Sequence, residues 1–550
     1  MTQTPSSYNL ASALPAMAER HPHRPAVIFP AGRREPWGRF IQLSFAQLDR
    51  LTDRYAHGLS ARGIQRGDRV LVLIRPGVDL IAVVFALFKI GAVPVLIDPG
   101  MGLKPFRQCV AETEPVALVG IPAAHVLRRL FPRAFGTIRV GIWVGRGPRA
   151  NRLDCLPDGD GKAFPVADTG LDEEGAVAFT SGSTGIPKGV VYRQGMFRAQ
   201  MGILRERLDM RDGDSHLAAV YIFALYNPTL GITTVFPDMD PARTASLNPA
   251  RLVEAMDTFG VTLSMGSPTV WRILCDYCEP RGLRFPSVRA IHMFGAPCEP
   301  ALIQRCAALF PAATVYTPFG ATEALPLTLI GHPEILGETA ERTRVGEGAC
   351  VGKALDGVQL AIIPIDDAPL ERWDPTRLLP ANTVGEIVVK GEMVTREYLH
   401  RPAQTRAAKI ADNDGIWHRM GDLGFLDEQG RLWFCGRKSH RVETEHGLML
   451  SALEAIFNQH PEVARSALVG VGEAGRQTPV LVVEHSSGKV PDETTGARLR
   501  EALLALAAER DSTRAIRTFL FHGPFPVDVR HNAKIQRDKL ARWATEKLVR

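Results

Sequence analysis

Residues 179–189 read Phe-Thr-Ser-Gly-Ser-Thr-Gly-Ile-Pro-Lys-Gly, and the apolar run in front of them, residues 175–179, reads as a strand. Glycines such as Gly182 and Gly185 let a backbone turn tightly, so that its N–H groups converge on an anion. The hydroxyls of Thr180, Ser181, Ser183 and Thr184 add donors, and Lys188 brings a mobile point charge suited to phosphate. A strand feeding such a loop suits the β- and γ-phosphates of a nucleotide. A plain Gly/Ser surface loop would need neither the lysine nor the strand. The Walker A pattern G-x-x-x-x-G-K-[ST] finds no match, because Lys188 is followed by Gly189. That argues against a P-loop kinase or GTPase.

Further along, Phe319-Gly320-Ala321-Thr322-Glu323 places a hydroxyl beside a carboxylate. Mg2+ takes hard oxygen ligands and usually binds one or two carboxylates plus substrate phosphates. Gly295-Ala296-Pro297 follows the apolar run of residues 290–294. Then come Trp417-His418-Arg419-Met420-Gly421-Asp422-Leu423, Gly436-Arg437, and Lys534 within residues 530–535. In this order the segments resemble those of the adenylate-forming enzymes: acyl-CoA synthetases, luciferases and peptide-synthetase adenylation domains. Gly67-Asp68-Arg69-Val70 and Gly91-Ala92-Val93-Pro94-Val95 extend the resemblance over almost the whole chain.

The resemblance implies ATP and Mg2+ as cofactors and carries roles over residue by residue. Thr180, Ser181, Gly182, Ser183, Thr184, Gly185 and Lys188 would hold the leaving pyrophosphate. Gly295, Ala296 and Pro297 would meet the adenine, and Phe319, Gly320 and Ala321 would form the nucleotide segment before Thr322, which contacts the α-phosphate. Glu323 would hold Mg2+, Asp422 the ribose hydroxyls, and Arg437 the ribose or phosphates. Lys534 would bridge the substrate carboxylate and the α-phosphate. A carboxylate would thus attack the α-phosphorus of ATP, chemistry that depends mainly on positioning and electrostatics. Two customary residues differ: Met420 stands for a Thr and Ala533 for a Gly.

The hinge departs further. Residues 436–447 carry Ser439 where acyl-CoA synthetases have an acid or Lys, Glu443 where they have Lys, and Gly447 one residue late. These details, with His531-Asn532-Ala533-Lys534-Ile535, resemble the β-lactone synthetases of bacterial long-chain olefin biosynthesis. The implied reaction adenylates a 2-alkyl-3-hydroxy long-chain fatty acid, whose own hydroxyl then displaces AMP. An internal nucleophile needs no CoA site, and effective molarity helps close the four-membered ring. Tyr221, Phe223 and Tyr226 lie in the segment that faces the acyl group by this resemblance, and favour a hydrophobic acid. The resemblance also suggests the olefin-pathway reductase and the α/β-hydrolase-like decarboxylase as partners. A long-chain acyl-CoA synthetase or acyl-AMP ligase is the nearest rival; a non-catalytic AMP- or acyl-binding regulator is more distant. His440 titrates in the right range for a base, but reads as a solvent-facing hinge residue.

The elements that must position these groups read as α/β. Strand-like runs alternate with amphipathic stretches, as in residues 69–74 and 80–90, an alternation expected of helix-covered sheets. The resemblance implies a large N-terminal adenylation domain, residues 1–435, with two helix-covered sheets and a β-barrel-like subdomain. It also implies that residues 436–550 would form a small mobile α/β cap carrying Lys534. Residues 425–434 suggest a hairpin around Asp427-Glu428-Gln429-Gly430. Gly470-Val471-Gly472-Glu473-Ala474-Gly475 matches G-x-G-x-x-G, yet a strand follows it, so a hairpin turn is expected. Cys275 and Cys278 form a C-x-x-C inside a helical stretch with no His pair nearby, the pattern of helix thiols.

Bulk properties agree. The 550 residues are 45% hydrophobic and 23% charged, ordinary for a globular enzyme. A net charge of +6 with no long basic block gives no reason to expect nucleic-acid binding. Residues 80–97 are the most apolar run, but Lys89 and Pro94 interrupt it and it falls short of the roughly 20 residues of a membrane span. No secretory signal is apparent, and eight cysteines are too sparse for a disulfide framework, so a cytoplasmic enzyme is expected.

Overall fold

The computed structural model describes residues 7–31, 40–180, 187–527 and 534–549. Two sheets are mainly parallel and helix-covered. The first has six strands in the spatial order Val140–Trp143, Ala117–Gly120, Arg69–Leu73, Val93–Leu96, Glu174–Phe179, Gly189–Arg193. Only its last pair is antiparallel, with Phe179 opposite Gly189. The second has seven strands, running from Thr314–Tyr316 through Ala290–Met293 and Leu263–Gly266 to the edge hairpin Pro25–Pro30 and Phe40–Ser44. The third, in the place of the expected barrel-like unit, has eight strands and is antiparallel throughout.

Helix Val78–Ile90 is buried on nearly every side, and strand Val93–Leu96 follows it. The apolar run of residues 80–97 is therefore interior, as a helix hydrophobic all round should be. Its one cation, Lys89, is buried and paired with Asp49 at 2.7 Å and with Asp53, both on helix Phe45–Ala61. A buried charge requires such partners. Among the described residues no helix is long and apolar enough to cross a membrane.

The chain leaves the third sheet after strand Arg431–Arg437 and forms a small α/β unit. Strands Val463–Val471 and Thr478–His485 make the hairpin expected around Gly470–Gly475, and Thr518–His522 adds a parallel strand. Alternation along Thr478–His485 splits its core in two. Leu481 and Val483 pack with Leu499 and Leu503 of helix Glu493–Ala508, while Val480 and Val482 pack with Leu540 and Ala544 of helix Arg537–Val549. Cys275 and Cys278 are buried in helix Pro268–Cys278, with Cys275 Sγ 3.8 Å from Cys306 Sγ.

Candidate active site

The phosphate-loop candidate spans the two antiparallel strands of the first sheet. Its ends are fastened: Thr180 N–H donates to the Lys188 carbonyl at 3.1 Å, and Lys188 N–H to Thr180 Oγ1 at 3.2 Å. Ser181, Gly182, Ser183, Thr184 and Gly185 lie outside the described residues.

Thr322 and Glu323 form the two-residue tip of a hairpin between strands Phe319–Ala321 and Ala324–Leu329, with Ala321 opposite Ala324. The approach is close at Gly320, where a Cβ would sit 2.7 Å from the Ala324 carbonyl oxygen. Distant segments hold the tip. Tyr192 O–H donates to the Thr322 carbonyl at 2.7 Å, and Thr395 N–H to the Glu323 carbonyl at 2.8 Å. Tyr398 O–H donates to Glu323 Oε1 at 2.6 Å, and the Lys188 ammonium lies 4.6 Å from the centre of the Tyr398 ring. Lys409 is buried behind them, donating to the Thr395 carbonyl and to Thr395 Oγ1. Burial pushes the Lys409 amine down to about 7, with Glu323 pulling it up and Lys188 pushing it further down.

Strand register builds the next part. Asp422 stands opposite Arg437 on neighbouring strands of the third sheet. Its Oδ1 lies 3.0 Å from Arg437 Nη1, an ion pair without a hydrogen bond, and is otherwise orphaned. Burial pushes the carboxyl up to about 6, against the pull of Arg437 and Lys534. Lys534 is placed by the bridge between Val527 and Ile535, and by Gln536 N–H donating to the Pro526 carbonyl at 2.8 Å.

One cavity of about 2330 Å³ joins these groups. Its polar end carries Asp422, Arg437 and Lys534, and Gly295, Ala296, Pro297, Phe319, Gly320, Ala321 and Thr322 continue the wall. Gly295 has φ of +91°, a turn after strand Ala290–Met293 that favours glycine. The rest of the lining is largely aromatic and aliphatic, and includes Tyr221, Phe223, Tyr226, Leu80, Val84 and Phe88. Tyr226 O–H is occupied by Gln200 Oε1 at 2.6 Å, and Phe223 packs edge-on to Phe294 at 5.0 Å. Lys188 and Glu323 sit beside this cavity, around Tyr398, and are not part of its wall.

His440 requires a correction. It is half-buried in the turn Lys438–His440 and lines the cavity that holds Lys534; it does not face solvent. Burial, with Arg537 and Arg437 nearby, lowers its imidazole to about 4, so it is neutral at pH 7. Sequence reasoning also passed over Tyr398, Lys409 and the Glu454–Arg537 pair. Glu454 accepts from Arg537 Nη2 at 2.5 and 2.7 Å, and both residues line the cavity. The helix wall had a signal: residues 80–90 are apolar on every face, more than one buried side needs. At the hinge, Glu443 pairs with Arg441 at 2.7 Å and Gly447 closes the small hairpin opposite Thr444.

The residues fit a nucleotide with a substrate-borne cation. Asp422 Oδ1 accepts no hydrogen bond from any described residue, which suits it to accept one from a ribose hydroxyl. Among the described residues nothing donates to Glu323 Oε2, and no group of three or more metal-ligating side chains exists. A single carboxylate beside a phosphate site is a common Mg2+ arrangement.

Comparison with known proteins agrees with this geometry. The family description "AMP-binding enzyme" matches residues 14–399. The olefin beta-lactone synthetase of Xanthomonas campestris pv. campestris is 45% identical over 98% of both chains. That of Stenotrophomonas maltophilia is 44% identical over the same shares. The amide bond synthetase McbA from Marinactinospora thermotolerans has the same fold, with a TM-score of 0.79 and 22% identity over 97% of this chain and 99% of its own. Signature, site and end-to-end likeness converge: this chain belongs to the AMP-binding enzyme family.

Proposed function

We propose that this protein is an ATP-dependent, AMP-forming β-lactone synthetase acting on a 2-alkyl-3-hydroxy long-chain fatty acid. The observation that carries this reading is the single cavity joining Asp422 and Lys534 to the arm walled by Tyr221, Phe223 and Phe88. Likeness along nearly the full chain to two olefin beta-lactone synthetases supports the product.

In the first step a carboxylate oxygen attacks the α-phosphorus of ATP. The bond from that phosphorus to the bridging oxygen breaks, and pyrophosphate leaves with the electron pair. Lys188 and the loop that begins at Thr180 would receive it. Thr322 would contact the α-phosphate and Lys534 would draw the carboxylate and that phosphate together. Asp422 would accept from the ribose hydroxyls. Glu323 would hold Mg2+, which when bound supplies charge neutralisation at the phosphates.

In the second step the 3-hydroxyl oxygen attacks the acyl carbon, the bond to AMP breaks, and the hydroxyl gives up its proton. His440, neutral and on the wall that Lys534 shares, would accept a hydrogen bond from that hydroxyl and orient it, and the proton would pass on to solvent. Residues 436–550 would act as a cap that brings Lys534 to the first step. The substrate and product chemistry would place an olefin-pathway reductase before this enzyme and an α/β-hydrolase-like decarboxylase after it, in the cytoplasm.

Incubation with ATP, Mg2+ and the hydroxy acid, without CoA, should give β-lactone and stoichiometric AMP by NMR. AMP release that requires an added thiol would overturn this reading in favour of an acyl-CoA synthetase.

A further inference from the structure

Between Glu114 and Asp154 the chain carries seven arginines and no acidic residue. They are scattered singly or in a pair, so no basic block is visible, but the fold gathers them. Arg128, Arg129 and Arg139 converge with His125, Trp143 and Asn151 on a surface cleft of about 380 Å³ at the edge of the first sheet. His125 stacks on Trp143 at 4.0 Å, which gives the cleft a rigid floor. Arg129, Arg133 and Arg139 are exposed and make no ion pair with any described residue.

Helix Pro122–Leu130 sits beside this cleft and is two-faced. Its inner face buries Ala124 and His125, and Ala123, Ala124 and Leu127 line the large cavity at its flank. Its outer face leaves Val126 54% and Leu130 64% exposed, among the most exposed large apolar side chains of the protein. Arg128 and Arg129 lie between them in sequence, and Arg133 just beyond. Exposed aliphatic side chains on one amphipathic helix, mixed with the exposed guanidinium groups of Arg129 on it and Arg133 and Arg139 near it, suit the headgroup–acyl boundary of a bilayer. An acidic protein would satisfy the arginines but would give Val126 and Leu130 no comparable phase to enter.

We propose that the outer face of helix Pro122–Leu130, with the adjoining arginine cleft, docks on an anionic lipid surface. Lipid phosphates occupy the cleft, and Val126 and Leu130 enter the interface. The same helix then separates the membrane from the acyl arm of the cavity, so a water-insoluble acid passes from bilayer to site without crossing bulk water. The proposal rests on the long-chain reading above, but its test requires no turnover.

The full chain is floated with vesicles of phosphatidylcholine alone and of phosphatidylcholine mixed with phosphatidylglycerol, at low and high salt. Binding is expected only to the anionic vesicles and should weaken with salt. Each basic side chain near an anionic surface is worth about fivefold in binding. Reversing charge with Arg129→Glu and Arg133→Glu together should therefore reduce binding by at least about tenfold. Val126→Ser with Leu130→Ser should weaken it as well. Adenylation of a detergent-dispersed acid should remain unchanged in both variants, which shows that they fold. No flotation of the parent at low salt overturns the proposal. So does vesicle binding that survives the charge reversal, which would leave the patch to an acidic protein. Failure of the lactone assay does not affect the flotation result, and failure of flotation leaves the lactone assay to stand alone.

Discussion

Tyr398 holds Glu323: its O–H donates to Oε1 at 2.6 Å across 75 residues of sequence, while the Lys188 ammonium rests on the face of the same ring. The phenol thus links the lysine of the candidate phosphate loop to the candidate Mg2+ carboxylate. One carboxylate oxygen is fixed and the other is left available. A hydrogen bond to a charged group is worth about 1.5–3 kcal/mol. Tyr398→Phe is expected to slow pyrophosphate release about tenfold or more and to raise the Mg2+ concentration needed. Pyrophosphate release across a Mg2+ titration checks this. An unchanged Mg2+ midpoint would show that the phenol only packs.

Lys534→Ala is expected to abolish carboxylate-dependent pyrophosphate release while leaving nucleotide binding largely intact. The reason is that Asp422 and Arg437 remain in place on other strands, and Gly295, Ala296 and Pro297 on another part of the cavity wall. Isothermal titration with ATP and a pyrophosphate assay separate the two effects. Near parental turnover in this variant would remove Lys534 from the mechanism.

Asp422 makes both stability and binding depend on pH. Its carboxyl is raised from 3.8 to about 6 in the folded chain, chiefly by burial. The folded protein therefore holds this proton more tightly than the unfolded chain does. The contribution of this group to stability falls as pH rises from about 4 to about 6, and the loss is complete above that window. A nucleotide whose ribose hydroxyls donate to the ionised form has the opposite trend, binding more tightly as pH rises through about 6. Melting curves with and without ATP across this range should converge on the acid side. In Asp422→Asn the added dependence should vanish.

His440→Ala separates the half-reactions. Pyrophosphate release should persist, because the neutral imidazole brings no charge to the phosphates, while lactone formation should fall by up to about tenfold, the scale of one lost hydrogen bond. Parallel pyrophosphate and NMR assays read both. Equal losses in the two assays would mean a structural role only.

Glu454 and Arg537 form a mostly buried pair, with the carboxylate also accepting from Leu468 N–H at 2.8 Å. Arg537→Met leaves that carboxylate buried without its partner and should cost about 3–5 kcal/mol by chemical denaturation. Because Arg537 opens the helix just after Lys534, adenylation should weaken with it. Adding Glu454→Leu should recover most of the stability, since an apolar pair can replace a buried ion pair. Adenylation of the double variant then shows whether the helix anchor alone matters.

Local spacing made the main chemistry legible. The strand before Thr180 and the Thr322–Glu323 pair are short-range patterns, and a tight turn or an acid–hydroxyl pair needs few neighbours to express its chemistry; Asp422 and Lys534 were marked only by the order of segments that resembles a known family. The α/β alternation and the hairpin at residues 470–475 were equally local, resting on periodicity and turn residues. Tertiary structure alone decided which partners these groups meet. Arg437 reaches Asp422 because the register of two strands sets them opposite, and a slip of one residue would turn either side chain to the other face. Tyr398 and Lys409 carry no local mark, and each reads equally well as core or surface until packing brings it to Glu323; His440 reads as a hinge residue, and only packing sets it on the wall with Lys534. The arginines before Asp154 are ordinary in sequence. Arg128, Arg129 and Arg139 become a charged surface because a sheet edge and one short helix place them together, with no carboxylate paired to them among the described residues.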